Sequence, residues 1–85
     1  MNLSEQFEDA QKRVKGLSAA PSNETLLELY GLFKQASVGE VQGSRPGMFD
    51  LKGRAKYDAW TARKGLSRDA AMTAYVALVD KLVKR

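Results

Sequence analysis

The sequence predicts an all-α fold: a four-helix up-down-down-up bundle with a long overhand loop between helices two and three. Three observations predict it. Four stretches carry apolar residues at steps of three and four, bounded by capping residues or by Gly and Pro. No stretch alternates with period two, so no sheet is expected. Two of the three connections are short and the middle one is long. The 85 residues suffice for one domain, 1–85, and no more.

The first helix carries Leu3, Phe7, Ala10, Val14 and Leu17 on one face, with Ser4 as its expected N-cap. "GLSAAPSN" (16–23) interrupts it through Gly16 and Pro21. Ser22 or Asn23 caps the second helix, Glu24 suits its positive start, and Gly39 is a natural stop. Leu26, Leu29 or Tyr30, Phe33 and Ala36 make its apolar face. "GEVQGSRPGMFD" (39–50) has three glycines, one proline and no helical period, so it reads as a loop. "RPG" (45–47) is a turn signal with Pro at the first central position.

Asp50 caps the third helix, expected over 51–64 and ended by Gly65. Leu51, Ala55, Ala59 and Ala62 give it a small-residue face, with Trp60 beside it. Gly53 lies inside this helix at a cost of ~1 kcal/mol relative to Ala, which close approach of a backbone or ligand would explain. Ser67 caps the fourth helix, whose stripe of Met72, Tyr75, Val76, Val79, Leu82 and Val83 is the clearest in the chain.

Loop length sets the expected order. Short first and last connections join antiparallel neighbours. A helix of 15 residues is ~22 Å long, and a twelve-residue loop reaches ~40 Å when extended. The middle loop can therefore run back along the bundle and start the third helix parallel to the second.

Composition removes several functions. With no Cys there is no disulfide or thiolate chemistry, and with no His no Ser–His or Cys–His nucleophile. Lacking both, the chain is not expected to hold a zinc site. No GxxxxGK[ST] or GxGxxG loop occurs, and the carboxylates are scattered. Neither catalytic nor metal-binding residues are expected, and no cofactor. No apolar run approaches the ~18 residues of a membrane span. The mixed-charge start "MNLSEQFEDAQKR" reads as a helix rather than a signal peptide. A cytoplasmic, monomeric protein without stable membrane insertion is expected. Net charge is +4, a weak pointer to an anionic partner.

Tyr30 and Lys34 share one helical face at i, i+4, as do Lys52 and Lys56. The spacing fits a core tyrosine beside solvated lysines. It equally fits a phosphate site, since ammoniums and a phenol are suitable donors. Tyr75 is either a core ring or the flank of a flat aromatic ligand group. Leu26 and Leu27 point about 100° apart, so both cannot sit deep in one core. Met48 and Phe49 lie in the loop, where they either pin it to the bundle or touch a ligand. "KRVK" (12–15) with Lys52, Arg54 and Lys56 would supply a basic stripe for nucleic acid, a competing reading that predicts steep salt dependence.

"YGLFKQASVGEVQGSRPGMFDLKGRAKYDAW" (30–60), followed by "KGLSRDAAMTAYV" (64–76), resembles the acyl-CoA-binding protein family. The resemblance runs from about Phe7 to the last helix. It implies the same overhand bundle, a bowl-shaped site for long-chain fatty acyl-CoA esters and no nucleic-acid partner. By this resemblance Tyr30, Lys34 and Lys56 hold the ribose 3′-phosphate. Tyr75 packs near the adenine, Lys15 approaches the nucleotide and Lys52 lies near the acyl or pantetheine part. Leu26 and Leu27 underlie the acyl chain, and the block 30–34, with Gly31, Leu32 and Phe33, belongs to the ligand surface. Phe33 stands where the family often has a second tyrosine, Tyr57 where tryptophan is usual and Arg54 where lysine is usual.

Overall fold

The computed structural model describes residues 1–83, so Lys84 and Arg85 of the expected domain lie outside the described residues. It contains four helices: α1 Leu3–Lys15, α2 Asn23–Ser37, α3 Leu51–Thr61 and α4 Arg68–Val83. No strand occurs among the described residues.

Local chemistry explains the helix ends. Asn2, not Ser4, caps α1: its side chain accepts from the Glu5 amide (2.9 Å), and the Glu5 carboxylate accepts from the Asn2 amide (3.3 Å). This reciprocal box satisfies two orphan donors, which Ser4 with Phe7 three residues on cannot match. Ser22 caps α2 through the Thr25 amide (3.2 Å), Asp50 caps α3 through the Gly53 amide (3.0 Å), and Ser67 accepts from the Ala70 amide (3.0 Å) at the start of α4. Gly39 follows α2 at φ +102°, a conformation suited to glycine. α3 ends at Thr61, three residues earlier than expected, because the chain tightens into i→i+3 turns through Arg63 and Lys64 before Gly65. A Cβ at Gly53 would meet the Asp50 carboxylate carbon at 2.7 Å, so that glycine serves the cap rather than a ligand.

Side-chain pairings fix the directions. Phe7 meets Tyr75 and Arg13 meets Asp80, so α1 and α4 run parallel. Tyr30 meets Lys56 and Lys34 meets Trp60, so α2 and α3 run parallel. Arg68 at the start of α4 donates to the Val38 carbonyl at the end of α2, while Glu28 lines the same cavity as Lys81. α2 and α4 are therefore antiparallel, and the order is up-down-down-up. The short connections do not join the helices whose backbones lie closest, however; α1 reaches α2 only through side chains such as Phe7 on Phe33. α1 packs on α4, α4 on α2 and α2 on α3.

The core consists of Phe7, Ala10, Leu29, Leu32, Ala36, Ala71, Tyr75 and Val79. On α2 it takes Leu29, Leu32 and Ala36, while Leu26 is exposed and Phe33 only half-buried. The small-residue face expected on α3 is not a core face: Leu51 and Ala62 are exposed, and Trp60 alone is buried. α3 packs against one helix only, so a narrow seam is enough.

The overhand loop is held by polar contacts to α3. Trp60 Nε1 donates to the Gly39 carbonyl (2.8 Å), Tyr57 Oη to the Gly43 carbonyl (2.9 Å), and Arg45 forms a two-bond pair with Asp58 (2.9 and 2.7 Å). Met48 and Phe49 do not pin it. The hydrogen-bonded turn is Gly47–Asp50 (3.0 Å) rather than one centred on Pro46, and it turns Met48 and Phe49 outward.

Candidate functional site

A groove of about 390 Å³ opens beside the core, lined by Gln11, Val14 and Lys15 of α1, Pro21 of the following connection, Leu26, Leu29, Tyr30 and Phe33 along α2, and Tyr75 of α4. Helical spacing assembles it. Gln11, Val14 and Lys15 share a face of α1, and Leu26, Tyr30 and Phe33 share a face of α2. Tyr75 reaches the groove from the core, edge to face with Phe7 at 5.0 Å, and Phe7 stacks on Phe33 at 6.1 Å. Burial pushes the Tyr75 phenol above its ordinary pKa, so it stands neutral at physiological pH.

The walls combine apolar surface from Val14, Leu26, Leu29 and Phe33 with an ammonium at Lys15 and phenols at Tyr30 and Tyr75. Such a surface suits a ligand with an apolar part and an anionic, hydrogen-bonding part.

Five of the sequence-derived residues are thus gathered: Lys15, Leu26, Tyr30, Phe33 and Tyr75. Lys34 and Lys56 lie instead on the adjoining seam between α2 and α3. Lys34 Nζ sits 4.9 Å from the Trp60 ring centroid, and Lys56 Nζ sits 5.5 Å from that of Tyr30. Tyr30 belongs to both groove and seam, so the two are continuous. Lys52 is exposed on the first turn of α3.

Leu27, Gly31 and Leu32 do not line the groove. Leu27 is half-buried. Leu32 packs in the core and lines a cavity on the opposite side with Ala74 and Leu78. Gly31 is buried against the backbone of Ala59. A helix places five consecutive residues all round its axis, so the block 30–34 cannot face one ligand as a unit.

Sequence reasoning missed Gln11 and Pro21 as groove residues, and read Val14 and Leu29 only as core. The i+3 and i+4 spacing of Gln11, Val14 and Lys15 was the available signal. Among the described residues no group of three or more His, Cys, Asp or Glu could hold a metal ion, and no helix is long and apolar enough to cross a membrane.

Fold and groove together define a class: an all-α four-helix domain with an open, amphipathic groove flanked by lysines. The family model described as "Acyl CoA binding protein" matches residues 4–79. The chain is 56% identical over 84 residues to the acyl-CoA-binding protein of Brassica napus, covering 99% of this chain and 91% of that one. It is 54% identical over 79 residues to acyl-CoA-binding protein homolog 1 of Caenorhabditis elegans, covering 93% and 92%. The crystal structure of Oryza sativa acyl-CoA-binding protein 2 superposes with a TM-score of 0.92 at 48% identity, over 96% of this chain and 89% of that one. The chain belongs to the acyl-CoA-binding protein family.

Proposed function

We propose that this single domain, 1–85, binds medium- to long-chain acyl-CoA esters and acts as a monomeric cytoplasmic carrier and pool former, not as an enzyme. One observation carries the reading: in a chain of this family, one groove joins apolar walls to Lys15, Tyr30 and Tyr75 and runs into a seam bearing Lys34 and Lys56.

The head group binds at the cationic end. Tyr30, Lys34 and Lys56 hold the ribose 3′-phosphate, with charge-assisted bonds worth ~1.5–3 kcal/mol each. Lys15 approaches the nucleotide from α1, Tyr75 supports the adenine, and Lys52 lies beside the pantetheine or acyl part. The acyl chain lies over Leu26, with Leu27 adjoining, and contributes ~0.8 kcal/mol per buried CH₂. Summed over a long chain this overshoots, because ordering the ligand opposes it.

Calorimetry with palmitoyl-CoA, free CoA and palmitate tests the division of labour. Palmitoyl-CoA should bind far more tightly than either fragment. Palmitate binding as tightly as palmitoyl-CoA would sink the head-group anchor.

A further inference from the structure

The seam between α2 and α3 is built from two crossed pairs. α2 supplies a ring and an ammonium four residues apart, Tyr30 and Lys34. α3 supplies an ammonium and a ring four residues apart, Lys56 and Trp60. Each ammonium lies over the other helix's ring, at 4.9 Å for Lys34 on Trp60 and 5.5 Å for Lys56 on Tyr30. Trp60 is itself fixed, since its Nε1 donates to the Gly39 carbonyl at 2.8 Å.

Between the two pairs the helices touch through Gly31 and Ala59. A Cβ at Gly31 would overlap the Ala59 carbonyl, with its carbon at 2.8 Å and Arg63 Cγ at 3.4 Å. The obstacle is helix backbone, which cannot step aside like a side-chain tip. Any side chain at position 31 must therefore move α2 and α3 apart or twist them. A cation–π pair requires the cation within ~6 Å of the ring centroid. The Lys56–Tyr30 pair has little margin, so a separation of well under an ångström is enough to break it. A glycine in a helix interior costs ~1 kcal/mol relative to Ala, and nothing else around Gly31 accounts for it: its φ is not positive.

We propose that Gly31 is a positioning residue for the anion site. By letting α2 close onto the Ala59 carbonyl, it sets the helix separation at which the Lys34–Trp60 and Lys56–Tyr30 pairs form, and so aims both ammoniums at one anion. Gly31 itself touches no ligand. The proposal rests on the preceding reading that this anion is the 3′-phosphate of CoA.

The test is calorimetry of wild type and Gly31→Ala with palmitoyl-CoA and palmitoyl-3′-dephospho-CoA. Wild type should prefer the phosphorylated ligand. In Gly31→Ala, affinity for palmitoyl-CoA should fall roughly tenfold, the loss of one charge-assisted bond, while affinity for the dephospho ligand stays unchanged. A general structural weakening would lower both. If wild type does not discriminate, the phosphate reading fails and this proposal with it. If wild type discriminates and folded Gly31→Ala discriminates equally, the role of Gly31 alone is overturned. A second measurement does not depend on the variant folding. In proton NMR of the wild type, the side-chain methylenes of Lys34 and Lys56 should be shifted upfield by the rings, and ordinary lysine positions for both would overturn the proposal.

Discussion

The rings of Phe7 and Tyr75 meet edge to face, with centroids 5.0 Å apart and planes at 78°. This contact joins the first helix to the last, and the same Phe7 ring stacks on Phe33 of α2 at 6.1 Å. Three helices thus meet through three rings, two of which line the groove. Phe7→Ala should cost ~3–5 kcal/mol, the range for emptying a buried phenylalanine site. In a domain of this size that lowers the melting temperature by at least ~10 °C. Phe7→Leu keeps most of the apolar volume and should cost less, losing mainly the ring–ring terms of ~0.5–1.5 kcal/mol each. Thermal unfolding followed by circular dichroism checks both, and equal melting of Phe7→Ala and wild type would show that Phe7 is not a structural centre.

Glu40 Oε1 accepts from the buried Gln35 amide at 2.8 Å and from the Gly65 amide at 2.9 Å. One carboxylate oxygen thereby ties the start of the overhand loop to the end of α2 and the turn before α4. The Gly65 amide first, then Gln35, hold its pKa below the ordinary carboxylate value. A lowered pKa in the fold gives stability that is present above the unfolded value and is lost as pH falls through the folded one. Asp58, lowered by its bonds to Arg45, acts in the same direction. The melting temperature should therefore hold from neutral pH to ~5 and fall below it. Glu40→Gln, which keeps an oxygen acceptor and removes the charge, should flatten that fall without abolishing it. An unchanged acid slope would remove Glu40 from the account.

Phe49 is 99% exposed, and Met48 beside it 69%. The loop is held to α3 by Arg45, Tyr57 and Trp60, so Phe49 contributes no packing in the free protein. Phe49→Ser should leave stability within ~0.5 kcal/mol of wild type, as for surface positions without a special role. Chemical denaturation at neutral pH would decide it, and a loss of ~1 kcal/mol or more would mean that the side chain is packed in solution.

Features carried by neighbours in sequence were legible, and those needing two helices were not. Ser22, Asp50 and Ser67 cap as expected because a cap is satisfied within three residues. Ser4 misled because Asn2 offers the same chemistry with a glutamate at the matching offset. The i, i+4 pairs Tyr30–Lys34 and Lys52–Lys56 were visible, but the crossing of α2 and α3 was not, since Lys34 on Trp60 and Lys56 on Tyr30 are contacts between elements. Gly31 shows its purpose only against the Ala59 carbonyl. Short loops suggested which helices are antiparallel, yet the backbone nearest α1 is that of α4, met through Phe7–Tyr75 and Arg13–Asp80, while α2 meets α1 through Phe33. Tyr57 uses its hydroxyl to hold the loop at Gly43, a contact that only the fold reveals.

The lysines of the seam carry a sharp expectation for binding. Lys34→Ala and Lys56→Ala should each weaken palmitoyl-CoA binding by ~10–150-fold, the equivalent of one charge-assisted bond. Among the described residues both side chains rest on rings rather than in ion pairs, so their removal strands no buried partner charge there and the helical circular-dichroism signal should persist. Unchanged affinity in both variants would refute the phosphate assignment.

Acyl-chain length should act through the other end of the groove. Each two added methylenes gain ~1.6 kcal/mol while they are buried, roughly tenfold in Kd. Leu26 lies at the groove and remains 43% exposed, so it has surface left for a chain to cover. The gain must stop where added methylenes find only solvent, and the affinity then levels off. A calorimetric series of saturated acyl-CoA esters should rise steeply through the medium lengths and flatten among the long ones. Leu26→Ser should lower the rise while leaving affinity for free CoA intact. A series with no dependence on length would show that the acyl chain is not buried at all, and would confine binding to the head group.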